Sequence, residues 1–224
     1  MDVHSGHRAR MKARFLKYGL DGFADHEVLE LLLFFALPQR DVNPLAHELL
    51  NRFGTLSNVL DASVEELCAV PGVGDNAAAL LRLIPQISRR YMMSRTDFDR
   101  IIDSSEKAGN YLVPRFYGEH DEVVYLLCLD AKYKVLDCPL VMRGSVNTVS
   151  FSVRRVVECA LAAGASAAVL AHNHTSGIAL PSKEDADTTV RMREVLASVD
   201  ITLTDHIIVA DDDYVSMADN GYFR

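Results

Sequence analysis

Apolar positions fall into two regimes along the chain. In the first, the spacing is helical. Between Asp25 and Pro38 the residues His26-Glu27-Val28-Leu29-Glu30-Leu31-Leu32-Leu33-Phe34-Phe35-Ala36-Leu37 are apolar on nearly every face, which predicts a central core helix capped by Asp25 and closed by Pro38. A short basic helix, Arg8 to Tyr18, precedes it and is stopped by Gly19. A third helix is expected from Asn43-Pro44 to Phe53, ended by Gly54, with a brief turn at Asn58 to Leu60. Ser63 and Glu66 have the spacing of a capping box and start another helix. Val70-Pro71-Gly72-Val73-Gly74 then reads as a tight turn leading into a helix at Ala77.

The second regime mixes strand and helix periods. Residues 96–104 have no sustained period and are expected to be a linker between domains spanning 1–95 and 105–224. A helix is predicted from Ser105 to Tyr117, bent or ended by Pro114. Val123 to Leu129 is apolar at every position and reads as a central strand, and Lys134 to Met142 as its hairpin partner. After the loop Arg143 to Asn147, Ser152 caps a helix from Val153 to Ala163, with Gly164 as its stop. A strand from Ser166 to His174, a helix from Ser182 to Ser198, a strand from Ile201 to Val209 and a last strand at Tyr214 to Met217 complete the order β-β-α-β-α-β-β. The expected fold class is therefore α/β (α+β), an all-helical first domain followed by a mixed-sheet sandwich.

Composition narrows the functional range. Of 224 residues, 49% are hydrophobic and 24% charged, an ordinary globular balance, and no apolar run reaches the roughly 20 residues of a membrane span. The start of the chain lacks the apolar core of a signal peptide, so a cytoplasmic protein without membrane partners is expected. Cys68, Cys128, Cys138 and Cys159 form no CxxC pair and read as buried reduced thiols, which argues against a cysteine-based zinc site. The net charge of −8 is unevenly spread: residues 1–95 hold 11 Lys and Arg against 11 Asp and Glu, so the remainder carries the whole excess. Arg8, Arg10, Lys12, Arg14 and Lys17 cluster near the start, so nucleic acid, if bound, is expected at the first domain.

The chemistry concentrates at Ala171-His172-Asn173-His174-Thr175-Ser176-Gly177 and at Pro181-Ser182-Lys183-Glu184-Asp185. Side chains alternate faces along a strand, so His172 and His174 point the same way and can share one metal ion. Asp185 follows eleven residues after His174 at a helix start, where it can fold back as a third ligand. Two imidazoles, one carboxylate and an open position for water make up a catalytic zinc site, so Zn2+ is the expected cofactor. Ser182, beside the metal, can donate a hydrogen bond to the oxyanion of a tetrahedral intermediate. Asp205 and His206 on the following strand are candidates for fixing the ligand histidines from behind. Ser182 and Asp185 also have the spacing of an ordinary capping box.

These parts resemble the JAMM motif of the JAB/MPN metallopeptidase superfamily. More closely, His-Asn-His-x-Ser-Gly, the following Pro-Ser-x-x-Asp and the later Asp-His-Ile-Ile resemble the RadC family. In that family a helix-hairpin-helix region precedes the JAB-type domain, so the resemblance covers nearly the whole chain. It implies a JAB/MPN-like (cytidine-deaminase-like) sandwich and a glutamate on the first strand of that domain. Glu122 is the position that fits, as the base that takes a proton from the attacking water; Glu119 and Asp121 are neighbours, and Glu158 lies on a nearby helix. The family usually carries proline after His-Asn-His; Thr175 stands there in this chain, which loosens the loop and removes no ligand. In the same way Pro71-Gly72-Val73-Gly74 resembles a helix-hairpin-helix motif, with Phe53-Gly54-Thr55-Leu56 as a degenerate first copy. Gly72, Val73 and Gly74 would then contact DNA backbone, whereas Asp75 places a negative charge where a phosphate would sit.

Two other readings of the letters fail. An HNH nuclease spreads its ligands over a ββα unit, not over three consecutive residues. A zinc nucleoside deaminase needs a Pro-Cys-x-x-Cys pair of ligands, and none occurs. Two functions are therefore expected to compete. The first is a zinc-dependent hydrolase of peptide or isopeptide bonds acting on a protein or peptide substrate. The second is a DNA-associated repair or binding protein that works through its hairpin, with a metal domain that cleaves no peptide.

Overall fold

The computed structural model describes residues 3–38, 40–96, 101–144 and 153–223. The chain divides into two compact units, Met1–Ser88 and Arg89–Arg224. The first is helical: α1 (Val3–Tyr18), α2 (Asp25–Ala36), α3 (Asn43–Phe53), α4 (Leu56–Asp61), α5 (Val64–Cys68) and the first part of α6 (Asp75–Thr96), within which the division falls. The apolar run of α2 supplies Leu29, Leu31, Leu33 and Phe34 to a core shared with Leu45 and Leu49 of α3 and Ala77, Ala78 and Leu81 of α6. Asp25 is the first residue of α2 and not its cap; the N-cap is Ala24, whose backbone N–H donates to the Glu27 carboxylate. Where a brief turn was expected at Asn58 to Leu60, α4 forms instead. Thr55 is the reason: its Oγ1 accepts from Asn58 N at 3.2 Å and caps a helix one turn longer than the apolar pattern reveals.

The second unit is built on a mixed sheet. After α7 (Ser105–Phe116) come β1 (Val123–Leu129), β2 (Val135–Asp137), β3 (Leu140–Arg143), α8 (Val153–Ala162), β4 (Ala167–Asn173), α9 (Lys183–Ala197), β5 (Thr202–Ala210) and β6 (Asp213–Ser216). The sheet runs β2-β1-β4-β5-β6, with β3 also paired to β1. β1 and β4 pair antiparallel, β4 and β5 parallel, and β5 and β6 antiparallel. Every residue of β1 and β4 is buried, as two-sided cover requires, and α/β is the fold class of the chain.

Alternation along the strands sorts the two faces. Ala167, Val169 and Ala171 of β4 pack with Ala108, Tyr111 and Leu112 of α7. Ala168 and Leu170 pack with Val156, Cys159 and Ala160 of α8 and with Met192 and Leu196 of α9. Gly109 lets α7 approach β6 closely, since a Cβ there would lie 2.2 Å from the Tyr214 ring. Pro114 sits in the last turn of α7, where loss of one N–H leaves the helix intact.

Two expected elements take another form. The single strand from Lys134 to Met142 is split into β2 and β3 at Cys138-Pro139, because Pro139 lacks an N–H; its carbonyl accepts from Leu126 N at 3.1 Å instead. The end of the expected linker is tied to the sheet, with Ile101 bridged to Lys134 and Ile102 N donating to Tyr133 O at 2.8 Å. Ser152 and the loop beyond Gly144 lie outside the described residues. Among the described residues no helix is long and apolar enough to cross a membrane, and the four cysteines are free thiols.

Candidate metal centre

His172 lies near the end of β4 and His174 just past it, on the face covered by α8 and α9. The parallel β4–β5 pairing, with α9 as its crossover, brings the start of α9 to this strand end. Ser182 caps α9 and Asp185 occupies its third position: Asp185 N donates to Ser182 Oγ at 3.0 Å, and Ser182 N donates back to Asp185 Oδ2 at 2.7 Å. The predicted capping box thus also aims the carboxylate.

His172, His174 and Asp185 each turn one ligand atom toward a common point. His172 Nε2 lies 3.0 Å from His174 Nε2 and 3.1 Å from Asp185 Oδ1, and His174 Nε2 lies 3.3 Å from Asp185 Oδ2. The two imidazole nitrogens and the two carboxylate oxygens are thus close enough together to share one metal ion. Burial alone would raise the Asp185 carboxyl; hydrogen bonds from His172, His174 and Ser182 outweigh it and hold the group ionised far below the usual carboxylate range. The bond to Asp185 raises His174 above its ordinary value, against the effect of burial.

A chain of buried hydrogen bonds fixes His172 from behind. Its Nδ1 is 2.8 Å from His206 Nε2, and His206 Nδ1 is 2.6 Å from Thr189 Oγ1, which donates to the Asp185 carbonyl at 2.6 Å. With a metal ion in place of a proton on His172 Nε2, the protons would run one way: His172 Nδ1–H to His206, then His206 Nδ1–H to Thr189. Burial, aided by His172, pushes His206 well below its ordinary value, so it remains a neutral link. Thr189 escaped the sequence reading, although its position four residues after Asp185 on a helix was a usable signal.

The other proposed residues separate clearly. Asp205 points to the opposite face, where it accepts from Ser216 Oγ at 2.6 Å and Ala218 N at 3.0 Å and braces β6; it touches no ligand. The Ser182 hydroxyl donates to Asp185 Oδ2 at 2.6 Å, so here it holds a ligand. Val124 lies opposite His172 in the β1–β4 register, and continuing it puts Glu122 across from His174, whose proton affinity Glu122 raises. Glu119 is held by Arg89 and Arg143, and Glu158 by Arg154 at 2.7 Å. Asn173, between the two histidines and facing the other way, accepts from Val123 N at 2.7 Å and donates to Asp121 O at 3.0 Å. It therefore clamps the backbone on both sides of Glu122.

In the helical unit, Gly72 has φ +99° and its carbonyl accepts from Arg40 Nη1 at 3.2 Å. The positive φ favours glycine there; a Cβ would lie 2.5 Å from Arg40 Nη2, the movable end of a flexible side chain. Val73 is buried in the helical core and Asp75 begins α6.

A mixed sandwich with this cluster at one strand end defines a JAB-type domain bearing a candidate metal centre. Comparison with known proteins gives the family. Residues 102–222 match the RadC-like JAB domain and residues 4–79 the UPF0758 N-terminal family. The chain is 36% identical to a UPF0758 protein of Pseudoalteromonas translucida over 95% of both chains. It is 38% identical to one of Methylibium petroleiphilum, covering 95% of this chain and 96% of that one, and 34% identical to one of Pseudomonas savastanoi pv. phaseolicola over 95% of both. The chain belongs to the RadC-like JAB family.

Proposed function

We propose that this protein is a zinc-dependent hydrolase of peptide or isopeptide bonds. The observation that carries the reading is the convergence of His172, His174 and Asp185, whose ligand atoms lie within 4.8 Å of one another. A zinc ion held there supplies a Lewis acid that activates water near neutral pH. The protein's own residues do the rest. Asp185 stays anionic and balances part of the ion's charge, while His206 and Thr189 keep His172 in the ligating tautomer. Glu122, opposite His174, accepts the proton of the attacking water and passes it to the leaving amine. Ser182 holds Asp185 in place, and its hydroxyl would have to turn from Asp185 to donate to an oxyanion.

The test is a screen of peptide and isopeptide substrates with wild type and Glu122→Ala, with and without zinc. Zinc-dependent cleavage that falls by about 10²–10⁴-fold in Glu122→Ala is expected. Absence of any metal-dependent cleavage across the screen contradicts the reading.

A second reading concerns the helical unit, and the observation favouring it is Arg40 seated on the Gly72 carbonyl. Arg40 adds a positive charge at the hairpin, so we propose that the hairpin grips nucleic-acid phosphate without reading sequence. The two readings are compatible, since one unit can deliver the other to DNA-bound substrates.

A further inference from the structure

On the α7 face of the sheet, opposite the histidines, the second unit contains a cavity of about 380 Å³ lined by Arg89, Tyr111, Arg115, Tyr125, Asp137 and Cys138, among others. Its size is that of a small-molecule site. Its composition is unusual for a face otherwise filled by Leu, Val and Ala.

Arg115 is 6% exposed. Its guanidinium stacks on the Tyr111 ring, with the central carbon 3.8 Å from the centroid, and donates to the Tyr111 carbonyl, with the Cys138 thiol nearby. Burial pushes that thiol up to about 11, so it is neutral at pH 7 and brings no charge. Among the described residues no carboxylate forms an ion pair with Arg115. Asp137, also on the cavity wall, is exposed and accepts from Cys138 N at 2.8 Å. A buried guanidinium with a ring, a carbonyl and a neutral thiol for company is normally matched by an anion.

A second cation reaches the same cavity. Arg89 donates to Glu119 Oε1 at 2.6 Å and, through its other terminal nitrogen, to the Tyr125 hydroxyl at 2.7 Å. Glu119 is shared with Arg143, so one carboxylate serves two guanidinium groups. Tyr125 accepts from Arg89, which leaves its own O–H free to donate.

We propose that this cavity is a second ligand site, separate from the metal centre, that takes a small organic oxyanion (a carboxylate or a phosphate monoester) on Arg115, Arg89 and the Tyr125 hydroxyl. Planar guanidinium forks match the paired oxygens of both anion types, which is why the chemistry is shared between them. The site is independent of the proposed hydrolysis: the ligand approaches the sheet face that His172 and His174 turn away from.

The test is calorimetric titration of the full chain with succinate and with glycerol 3-phosphate at fixed ionic strength, the two probes separating carboxylate from phosphate. Saturable binding of at least one probe, with Kd at or below about 1 mM, is expected. Arg115→Met should weaken it by about tenfold or more and Tyr125→Phe several-fold, while Asp185→Asn should leave it unchanged. If Arg115→Met fails to fold, Tyr125→Phe and Arg89→Lys decide. No saturable binding of either probe up to about 10 mM overturns the proposal, as does equal binding by wild type and the cavity variants. Loss of binding in Asp185→Asn overturns it too, because the anion would then sit at the metal centre.

Discussion

Asp185 carries two tasks in one carboxylate. The same oxygen that accepts from the Ser182 backbone faces His174, so the helix cap and the ligand set are inseparable. Ser182→Ala should therefore both lower thermal stability, by about 1 kcal/mol as for other lost caps, and weaken metal binding. Behind His172, removing His206 or Thr189 leaves all three ligands present but unoriented. His206→Ala and Thr189→Ala should each weaken zinc affinity by about 10–100-fold in competition titrations, and an unchanged affinity would mean that the relay merely fills space. Protons compete with the metal for imidazole. Because Asp185 holds His174 above the ordinary histidine value of 6.5, zinc affinity should begin to fall above that pH as the solution is acidified.

At the level of elements, the sheet faces were legible and the breaks in them less so. Continuous apolar runs mark β1 and β4 as two-sided strands, and alternation puts His172 and His174 on one face. Asp205 was misplaced because only its neighbour His206 shares that face; period-two counting from His206 would have sent it to the other side. Thr55 was passed over because a helix of a single turn has too few apolar positions to show a period. The close contact of Gly109 with Tyr214 joins residues far apart in sequence, and no local pattern signals it. Gly109→Ala should cost about 1–3 kcal/mol in denaturant unfolding, since a ring must move to admit the methyl. Glu119 makes a pH-dependent counterpart. Burial raises its carboxyl, but the bonds from Arg143 and Arg89 outweigh that and leave it below its ordinary 4.5. The unfolded chain then binds the proton first, so this contribution is complete above about pH 4.5 and is lost as pH falls through the lower folded value. Glu119→Gln should remove that part of the acid dependence.

For the whole molecule, the charge asymmetry and the candidate ligands His172, His174 and Asp185 are both readable from the sequence. The acidic excess lies beyond residue 95, which makes the helical unit the better candidate for phosphate contact. Binding to branched or single-stranded DNA should weaken as salt rises, and Arg40→Ala should flatten that dependence by roughly one phosphate contact. Glu122 is where sequence alone left alternatives open, because Glu119 and Asp121 stand beside it. Glu119 is paired with two arginines, and the β1–β4 register, continued one step past the clamp of Asn173, puts Glu122 across from His174. The most direct test of the account is metal content of the purified full chain by mass spectrometry, for wild type and for His172→Ala, His174→Ala and Asp185→Asn. One zinc ion per wild-type chain, lost in all three variants while the fold persists, is the predicted result; a wild type that neither retains zinc nor takes it up, or variants that keep it, would contradict the account.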